Sequence, residues 1–425
     1  MLRSFTVENW KSYDIPTEFS MIATRERKHG ERLAHTKQGR VLPVSAIYGA
    51  NAAGKSTLIE ALATLREIII GARRPGALLP VFPHLPYGNR KPSKFTLEFI
   101  VKETTLIYEL EADKQHVIYE ALLILKGKQE EYIFERDDNG VSLYGALNDN
   151  KLATSYANVI APNETYLGAI GSAPAINEPL ATAAYDWFNR HLIVIYPHSK
   201  FVYLPARFDA DEVFAAAMNA GLTRADTGIS GLALEEMNAN ALPLEDKQLE
   251  QLTADLEQQG GSFVIGGDAG EYAVLDIHDE QPRIRRLVAD HSTFTLPLRD
   301  ESDGTQRYMN LLPVLFQLQE EDSRNVFLID ELENSMHPKL AEDFIMRFLA
   351  DLDHADRRQL IFTTHEIQLM RSDLLRRDEI WLVDKENDHS ELTRVSDFSG
   401  IGVRKDSDLL SFYMSGRLGG VPRGS

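Results

Sequence analysis

A run of small residues followed by a lysine and a serine is the segment best suited to phosphate chemistry. Residues 49–56 read Gly-Ala-Asn-Ala-Ala-Gly-Lys-Ser and fit the pattern G-x-x-x-x-G-K-[ST]. A bare backbone lets several N–H groups surround a phosphate in front of a helix N-terminus, which favours negative charge. Lys55 would reach the β- and γ-phosphates, and Ser56 would ligate Mg²⁺. A chance glycine turn is the alternative. The predicted nucleotide-binding residues of this loop are Asn51, Ala52, Ala53, Gly54, Lys55, Ser56 and Thr57.

A second segment supplies the carboxylates that a phosphate loop requires. The apolar residues 326–329 are followed by Asp330 and Glu331, at the expected carboxyl end of a buried strand, where ligands bind in open α/β sheets. Asp330 would hold Mg²⁺, and Glu331 would orient or deprotonate the attacking water. An acidic turn without a chemical role is the alternative. The presence of a phosphate loop favours the hydrolytic interpretation.

Two further segments complete the candidate chemistry. His365 follows the buried run "LIFTT" and would sense the γ-phosphate, with a structural histidine as the alternative. Ser302 and Gly304 stand at the start of a predicted helix, whose N-terminus offers donors to an anion. Because the phosphate loop already supplies donors to its own nucleotide, this second N-terminus would serve the nucleotide of another subunit. An ordinary capped helix start is the alternative.

Positioning these residues requires alternating strands and helices. "LPVSAIYG" reads as a buried strand and "STLIEALATLREIII" as an amphipathic helix, so the loop joins a strand to a helix. After residue 300, helices are predicted at "RYMNLLPVLFQL", "LAEDFIMRFLADL" and "EIQLMRSDLL", and strands at "NVFLIDE", "RQLIFTTHE" and "EIWLVDK". Residues 94–146 read as antiparallel strands, and residues 205–260 as mostly helical. A hairpin is predicted after them at "SFVIGGDAGEYAVLDIHD", with Gly266, Gly267 and Gly270 at its turn. A split α/β core with a large insertion is the simplest account.

Composition limits the classes of function. The chain has 425 residues, a net charge of −19 and no cysteine, which excludes disulfides, iron–sulfur clusters and thiolate zinc sites. The negative charge opposes nonspecific coating of nucleic acid, so any such contact would be local. No apolar run is long enough for a bilayer and no signal region opens the sequence, so we expect a cytoplasmic protein without a membrane partner. One basic run is a candidate nucleic-acid contact, although a solvated loop is favoured. It comprises Arg25, Arg27, Lys28, Arg32, Lys37 and Arg40.

The four motifs, in this order, resemble the ABC-type ATPase heads of the Rad50/SMC/RecF group, and more closely the AAA15 or OLD-like ATPases. "VENWKSY", "ADTGISGLALEEM" and "RKDSDLLSFYMSGRLGGVP" are similar to further segments of that family. One departure is Ala53, where many relatives carry Ser. The resemblance implies an α/β P-loop NTPase of the ABC-ATPase head type, with a split core, an antiparallel β lobe and a mostly helical insertion. The implied parts are an N-terminal lobe (1–200), an insertion (201–290) and a C-terminal lobe (291–425).

The resemblance also implies how ATP and Mg²⁺ would act. Two heads would dimerise and sandwich two ATP molecules, each between one phosphate loop and the Ser302–Gly304 segment of the other subunit. Lys11 and Ser12 align with residues that approach nucleotide in the wider group. Hydrolysis would release or remodel the dimer, so that ATP acts as a switch. Relatives often serve in bacterial anti-phage modules, RloA-like and abortive-infection ATPases being the nearest type. The implied partners are a second copy of the chain and a nuclease or toxin effector.

Other functions stay open from the sequence. A Rad50 or SMC protein proper needs long heptad arms, for which "LEDKQLEQLTADLEQQ" is too short, whereas a compact RecF-like repair ATPase stays open. About 60 residues follow His365, too few for an appended nuclease domain. Asp384, Glu386 and Asp388 fit a polar hairpin better than a metal cluster. "NKLA" lacks the aspartate of a guanine-selecting motif, and "SDGTQ" departs from an ABC transporter signature. An ATP-binding scaffold with slow turnover is a further alternative.

Overall fold

The computed structural model describes residues 1–86, 91–225, 227–238, 245–266, 271–279, 281–320, 322–398 and 409–414. The strands in the first half of the chain are β1 (Leu2–Glu8), β2 (Thr17–Ser20), β3 (Ala34–Thr36), β4 (Gly39–Val41), β5 (Val44–Gly49), β6 (Ser93–Val101), β7 (Thr104–Ala112), β8 (Val117–Lys126), β9 (Gln129–Asp137), β10 (Gly140–Leu143) and β11 (Leu192–Ile195). The later strands are β12 (Gly231–Glu236), β13 (Phe263–Gly266), β14 (Tyr272–His278), β15 (Gln281–Asp290), β16 (Thr295–Pro297), β17 (Val326–Ile329), β18 (Gln359–Thr363), β19 (Ile380–Glu386) and β20 (His389–Arg394). The helices are α1 (Lys55–Ile70), α2 (Lys151–Val159), α3 (Tyr166–Gly171), α4 (Pro179–Asp186), α5 (Leu204–Ala210), α6 (Glu212–Arg224), α7 (Asp246–Gln259), α8 (Asp303–Gln319), α9 (Pro338–Leu349) and α10 (Leu409–Met414).

The chain folds as two compact units. The first comprises Met1–Tyr196, Glu321–Leu332 and Ile345–Ser425, and the second comprises Pro197–Glu320 and Glu333–Phe344. Because three separate stretches build the first unit, the chain leaves it and returns to it twice. The three-part division predicted from the sequence stays a prediction.

A six-stranded sheet of the first unit carries the predicted α/β core. Its strand order is β11-β17-β18-β5-β19-β20, parallel except for the antiparallel pair of β19 and β20. All residues of β5, β17 and β18 are buried, as expected for parallel strands covered on both faces. The predicted strands at "LPVSAIYG", "NVFLIDE", "RQLIFTTHE" and "EIWLVDK" are therefore confirmed. Their parallel pairing brings the carboxyl ends of β5, β17 and β18 to one edge.

A seven-stranded antiparallel sheet packs into the same unit. Its order is β10-β9-β8-β7-β6-β1-β2, so the strands predicted between residues 94 and 146 are confirmed. The opening strand β1 pairs with β6, whose sequence begins about 90 positions later. Apolar side chains of this sheet and of α1 join one hydrophobic core, with Phe5 and Leu97 from the sheet and Leu58, Leu62 and Leu65 from the helix. The helix after the phosphate loop is thus anchored by buried apolar surface.

The second unit contains both helices and an antiparallel sheet, so the expected mostly helical insertion is corrected. Helices α5, α6 and α7 are present, but β12, β15, β14 and β13 form a sheet in that order, with β16 added to β15. Strand β12 pairs with β15 along Gly231–Glu236, across about 50 intervening residues. Such distant pairing has no local sequence signature, because the partner strand supplies the hydrogen bonds. The hairpin predicted at "SFVIGGDAGEYAVLDIHD" is confirmed by the antiparallel pairing of β13 with β14, and its turn at Gly267 and Gly270 lies outside the described residues.

Two local expectations are also corrected. "EIQLMRSDLL" was expected to form a helix but contains a single 3₁₀ turn at Ile367–Leu369, because Met370 leaves the helical region with φ −80° and ψ 57°. The basic segment was expected to be a loop but includes the short hairpin of β3 and β4. Within it Arg32 is buried and donates to Glu379 Oε2 at 2.7 Å, so Arg32 does not belong to an exposed basic surface. Throughout the described ranges, no helix is long and apolar enough to cross a membrane.

Candidate nucleotide site

The phosphate-loop sequence forms the strand–turn–helix connection that the motif requires. β5 ends at Gly49 and α1 begins at Lys55, with no acidic residue in the first helical turn. Ala52 has a φ of +60° and Gly54 a φ of +122°. A Cβ built at Gly54 would lie 2.3 Å from Ser390 Oγ, so a side chain at this position has no room. The loop therefore bends sharply in front of a helix N-terminus that is free of its own negative charge.

Lys55 lies under the loop rather than in solvent. Its side chain is buried, and Nζ donates hydrogen bonds to Gly49 O at 2.9 Å and to Ala50 O at 3.1 Å. A lysine ammonium carries three donors and is costly to bury without acceptors. The carbonyl groups of the loop therefore hold this cation where a phosphate group of a nucleotide would meet it.

A hydroxyl–carboxylate cluster joins the two predicted motifs. Asp330 is buried at the end of β17, where its N–H donates to Ile195 O at 2.8 Å. Ser56 Oγ donates to Asp330 Oδ1 at 3.0 Å, and Thr363 Oγ1 donates to the same oxygen at 2.6 Å. Residues 274 positions apart in the chain thus meet across the intervening strand β18. The structure brings together the two residues predicted to ligate Mg²⁺.

One cavity of about 490 Å³ collects the remaining predicted side chains of the first unit. Glu331, half-buried with a φ of +47°, and the exposed His365 both line it. The full lining comprises Lys11, Ser12, Asn51, Ala52, Ala53, Gly54, Lys55, Ser56, Thr57, Glu331, His365 and Lys385. Its size falls within the range of small-molecule sites. The structure therefore brings the phosphate loop, Glu331 and His365 to one concave surface, and Asp330 contacts the lining residue Ser56.

The N-terminal turn packs directly on the phosphate loop. Tyr13 Oη donates to Gly54 O at 3.0 Å, and Trp10 Nε1 donates to Thr57 O at 3.2 Å. Lys11 Nζ forms an ion pair with Glu60 Oε2 of α1 at 2.5 Å. Ser12 Oγ lies 2.7 Å from Ser390 Oγ. Lys11 and Ser12 thus reach the cavity as a consequence of contacts that tie their turn to the loop.

Three residues that line the cavity or contact its lining were not singled out from the sequence. Lys385 lines the cavity from the end of β19, and Ser390 Oγ donates to Ala53 O at 2.5 Å. Thr363 bridges the carboxylate segment, because its Oγ1 also accepts a hydrogen bond from Glu331 N at 2.8 Å. A threonine two positions before the predicted histidine was a usable signal. The sequence carries no such signal for Lys385 and Ser390, because their contacts depend on the order of strands in the sheet.

Tyr196 follows β11 and senses carboxylates of the first unit. Its pKa is raised above the usual value first by burial, and then by the negative charges of Glu60, Asp330 and Glu67.

The donor set fits a magnesium ion. Hydroxyl and carboxylate oxygens are the ligands that Mg²⁺ prefers, and Mg²⁺ is commonly bound by one or two carboxylates together with substrate phosphates. Among the residues that the structure describes, no group of three or more His, Cys, Asp or Glu side chains is arranged to hold a metal by itself. Strands β19 and β20 form the polar hairpin predicted around Asp384 and Glu386. Ser56 and Asp330 are therefore the residues that would hold the ion.

Ser302 and Gly304 belong to the second unit, at the start of α8. Ser302 is exposed, and its Oγ accepts a hydrogen bond from Thr305 N at 3.2 Å, which caps the helix. A Cβ at Gly304 would lie 2.5 Å from Ser335 O, so this glycine permits close packing inside the second unit. The capped helix start is present, and the role toward the nucleotide of another subunit stays a prediction.

Comparison with protein families decides the broad assignment. A family model described as "AAA domain, putative AbiEii toxin, Type IV TA system" matches residues 44–159 and 178–371, more than half of the chain. The chain belongs to this family. The match spans the phosphate loop, both carboxylates and His365. The family is one of P-loop ATPases, which generally use ATP and Mg²⁺. The finer AAA15, OLD-like or RloA-like assignment stays a prediction.

Comparison of the chain with curated proteins found no match. Among solved structures, the chain is similar to one described as "An inward-facing conformation of a putative metal-chelate type ABC transporter". The sequences are 10% identical, with a TM-score of 0.27, and the similarity covers 94% of this chain and 86% of that chain.

Proposed function

We propose that the protein is a Mg²⁺-dependent ATPase whose ATP-bound heads dimerise and thereby switch a partner effector in bacterial anti-phage defence. One observation carries the ATPase proposal: Ser56 Oγ lies 3.0 Å from Asp330 Oδ1 at a cavity that Lys55, Glu331 and His365 also line. The residues needed to bind a triphosphate, hold its cation and activate water thus converge from three strand ends.

Each residue has a distinct part in the proposed hydrolysis. Loop amides and Lys55 bind the β- and γ-phosphates, while Ser56 and Asp330 hold the ion, which neutralises phosphate charge when bound. Glu331 orients a water molecule for attack on the γ-phosphorus and accepts its proton. The bond from the γ-phosphorus to the β–γ bridging oxygen then breaks, and ADP keeps that oxygen. His365 contacts the γ-phosphate and helps to hold the water in line.

Dimerisation is proposed from the segment at the start of α8. Ser302 is exposed, and the residues lining the cavity belong to the first unit. A helix N-terminus offers partial positive charge to an anion, which a second subunit would supply as its γ-phosphate. The family description names a putative AbiEii toxin and a type IV TA system, which supports a toxin–antitoxin context for the chain. The nuclease or toxin effector is part of our proposal. A homo-oligomer with an effector is therefore the proposed working assembly.

Phosphate release from Mg²⁺-ATP by the purified chain tests this function, with Lys55→Ala as the control for contaminating ATPases. We expect turnover that the control lacks. Turnover stimulated by DNA would instead favour a RecF-like repair ATPase. Tight ATP binding with scarcely any turnover, released by the product of a neighbouring gene, would favour the scaffold alternative. Equal phosphate release by the wild type and Lys55→Ala would contradict the ATPase proposal.

A further inference from the structure

The hydroxyl of Thr363 contacts both members of the acidic pair. We propose that Thr363 is a positioning residue that sets Asp330 for the magnesium–nucleotide complex and Glu331 for the attacking water. This inference rests on the proposed ATPase function and deepens it. It names a residue that acts through its neighbours, because Thr363 is absent from the cavity lining.

Strand register places Thr363 opposite the carboxylates. β17 and β18 are parallel, with Phe327 opposite Leu360 and Ile329 opposite Phe362. Continuing this register by one residue sets Asp330 opposite Thr363. A shift of one position would place the side chain of Phe362 or Thr364 there instead. The register that brings Thr363 to Asp330 is therefore the register that builds the site.

Thr363 makes contacts with three consecutive residues of the carboxylate segment. Its Oγ1 donates to Asp330 Oδ1 at 2.6 Å and accepts from Glu331 N at 2.8 Å. Its carbonyl oxygen accepts from Leu332 N at 3.0 Å. One hydroxyl thus uses its donor on the carboxylate and an acceptor site on the next backbone amide. Asp330 and Glu331 are held relative to each other by a single side chain.

Burial makes these contacts strong and rigid. Thr363 is fully buried and Asp330 is only 5% exposed, so a hydrogen bond to the carboxylate is poorly screened. The β-branched side chain has few allowed χ1 rotamers, which limits the directions of its hydroxyl. Glu331 has a φ of +47°, a conformation that a non-glycine residue keeps only where its surroundings enforce it. The bond from Glu331 N to Thr363 Oγ1 provides such enforcement.

The neighbouring residues have other tasks. Ser56 would be a ligand of the ion and lines the cavity, which Thr363 does not. Thr363 supplies a second hydrogen bond to the same carboxylate oxygen, from strand β18. Outer-shell partners of this kind typically change metal affinity or activity by about 10- to 100-fold when removed. The expected effect is therefore specific to magnesium.

Nucleotide affinity with and without magnesium tests the inference. A fluorescent ATP analogue would be titrated into the wild type, Thr363→Val and Thr363→Ser, in excess Mg²⁺ and in EDTA. We expect Thr363→Val to lose about 10- to 100-fold of affinity in Mg²⁺ and to bind like the wild type in EDTA. Thr363→Ser, which keeps the hydroxyl, should recover most of the loss. The kcat of Thr363→Val should fall more than its KM rises.

Thr364→Val is the matched control. Thr364 is equally buried at the next position, and its hydroxyl accepts from Glu366 N at 2.9 Å rather than contacting Asp330. We expect its magnesium-dependent affinity to match the wild type. If Thr363→Val does not fold, Thr363→Ala against Thr363→Ser tests the same hydroxyl.

Two outcomes separate this inference from the proposed function. A wild-type magnesium effect retained in Thr363→Val would overturn the positioning role and leave the ATPase proposal intact. A wild type whose nucleotide binding is indifferent to Mg²⁺ and to Lys55→Ala would overturn the proposed function itself.

Discussion

Gly54 shows how a single backbone position limits the phosphate loop. Its φ of +122° is one that side chains rarely adopt, and a Cβ there would lie 2.3 Å from Ser390 Oγ and 3.2 Å from Ser12 Oγ. The close contacts restrict position 54 more than its φ angle does, because other glycines have a similar φ with no atom near the position of a Cβ. Gly39 has a φ of +109° with no atom within 4 Å of its would-be Cβ. An alanine at position 39 would therefore show the effect of backbone strain alone, and an alanine at position 54 would show backbone strain together with steric clashes.

We therefore predict that Gly54→Ala weakens ATP binding by at least about tenfold, whereas Gly39→Ala does not. Both variants bear a strain of about 1–2 kcal/mol, but only Gly54→Ala must displace the serines that hold the loop. Titration with a fluorescent ATP analogue measures the first effect, and thermal unfolding measures the shared strain. Wild-type affinity in Gly54→Ala would show that the loop accommodates a methyl group.

Lys55 and Glu331 are expected to separate binding from hydrolysis. Lys55→Ala should lose nucleotide binding, because the buried ammonium is the cation of the loop. Glu331→Gln should keep binding and lower turnover by about 10²- to 10⁴-fold, the usual contribution of a general base. Glu130→Gln, at an exposed carboxylate of β9, is the control. Hydrolysis by Glu331→Gln at the wild-type rate would refute the role assigned to Glu331.

The hairpin of β19 and β20 acts as one element that supports the loop from the side. Ser390 is buried at the start of β20, with its Oγ bonded to Ala53 O and its N–H donating to Ser12 O at 2.7 Å. A Cβ at Gly49 would lie 2.4 Å from Val383 O of β19. The loop thus fits between the hairpin and the N-terminal turn.

Ser390→Ala is expected to lower the free energy of unfolding by about 1 kcal/mol, the net value of a typical hydrogen bond. ATP affinity should fall as well, because Ala53 and Ser12 lose their shared partner. Ser396→Ala is the control, since that hydroxyl bonds to the adjacent Asp397. Chemical denaturation and nucleotide titration measure the two effects. An unchanged ATP affinity in Ser390→Ala would mean that Ser390 contributes to the stability of the fold but not to nucleotide binding.

The junction before β19 contains a buried carboxyl group with an unusual pKa. Burial raises the pKa of Glu379 from 4.5 to about 7, although Arg32 and the N–H of Arg376 partly oppose the change. The folded state therefore binds this proton more tightly than the unfolded state. The stability from this group is full below the unfolded pKa and is lost as pH rises through about 7.

We predict that the wild type loses stability between pH about 5 and pH about 8 more steeply than Glu379→Gln. The amide keeps an acceptor for Arg32 but has no proton to release. Urea denaturation at several pH values gives both slopes. Equal slopes would mean that another group controls the pH dependence of folding in this range.

At the scale of the whole molecule, charge and assembly govern the proposed switch. The net charge of −19 means that two copies repel each other, so a head dimer would form only where specific contacts outweigh this repulsion. In the proposed function, bound ATP supplies those contacts. Of the six basic residues in the segment 25–40, Arg32 is paired internally with Glu379, and the other five are exposed. A dimer that depends on nucleotide is the physical form that the proposed function requires.

We predict that Glu331→Gln with Mg²⁺-ATP elutes as a dimer, whereas Lys55→Ala/Glu331→Gln elutes as a monomer. The first variant binds ATP without hydrolysing it, and the second lacks the nucleotide that joins the heads. Size-exclusion chromatography with light scattering gives both masses. Raising the salt concentration should strengthen the ATP-bound dimer, because the repulsion is screened. Identical masses for the two variants would argue against nucleotide-driven dimerisation.

The sequence by itself determined which residues are candidates for the chemistry of the site. The spacing of Gly49, Gly54 and Lys55 follows from what a phosphate needs of a backbone, and buried strands before Asp330 and His365 follow from continuous apolar runs. Those features are local, because a strand's burial and a glycine turn are written in adjacent residues. The family match over residues 44–159 and 178–371 agrees with that reading.

Tertiary structure alone decided which residues support that chemistry. β18 lies between β5 and β17, which is why Thr363 of β18 contacts Asp330 in addition to Ser56, the residue that follows the loop lysine. Ser390 meets Ala53 across 337 positions, and β12 pairs with β15 where helices were expected. Strand order and long-range pairing arise from hydrogen bonds between distant segments. No periodicity within either segment records its partner, so the supporting contacts became visible only in the fold.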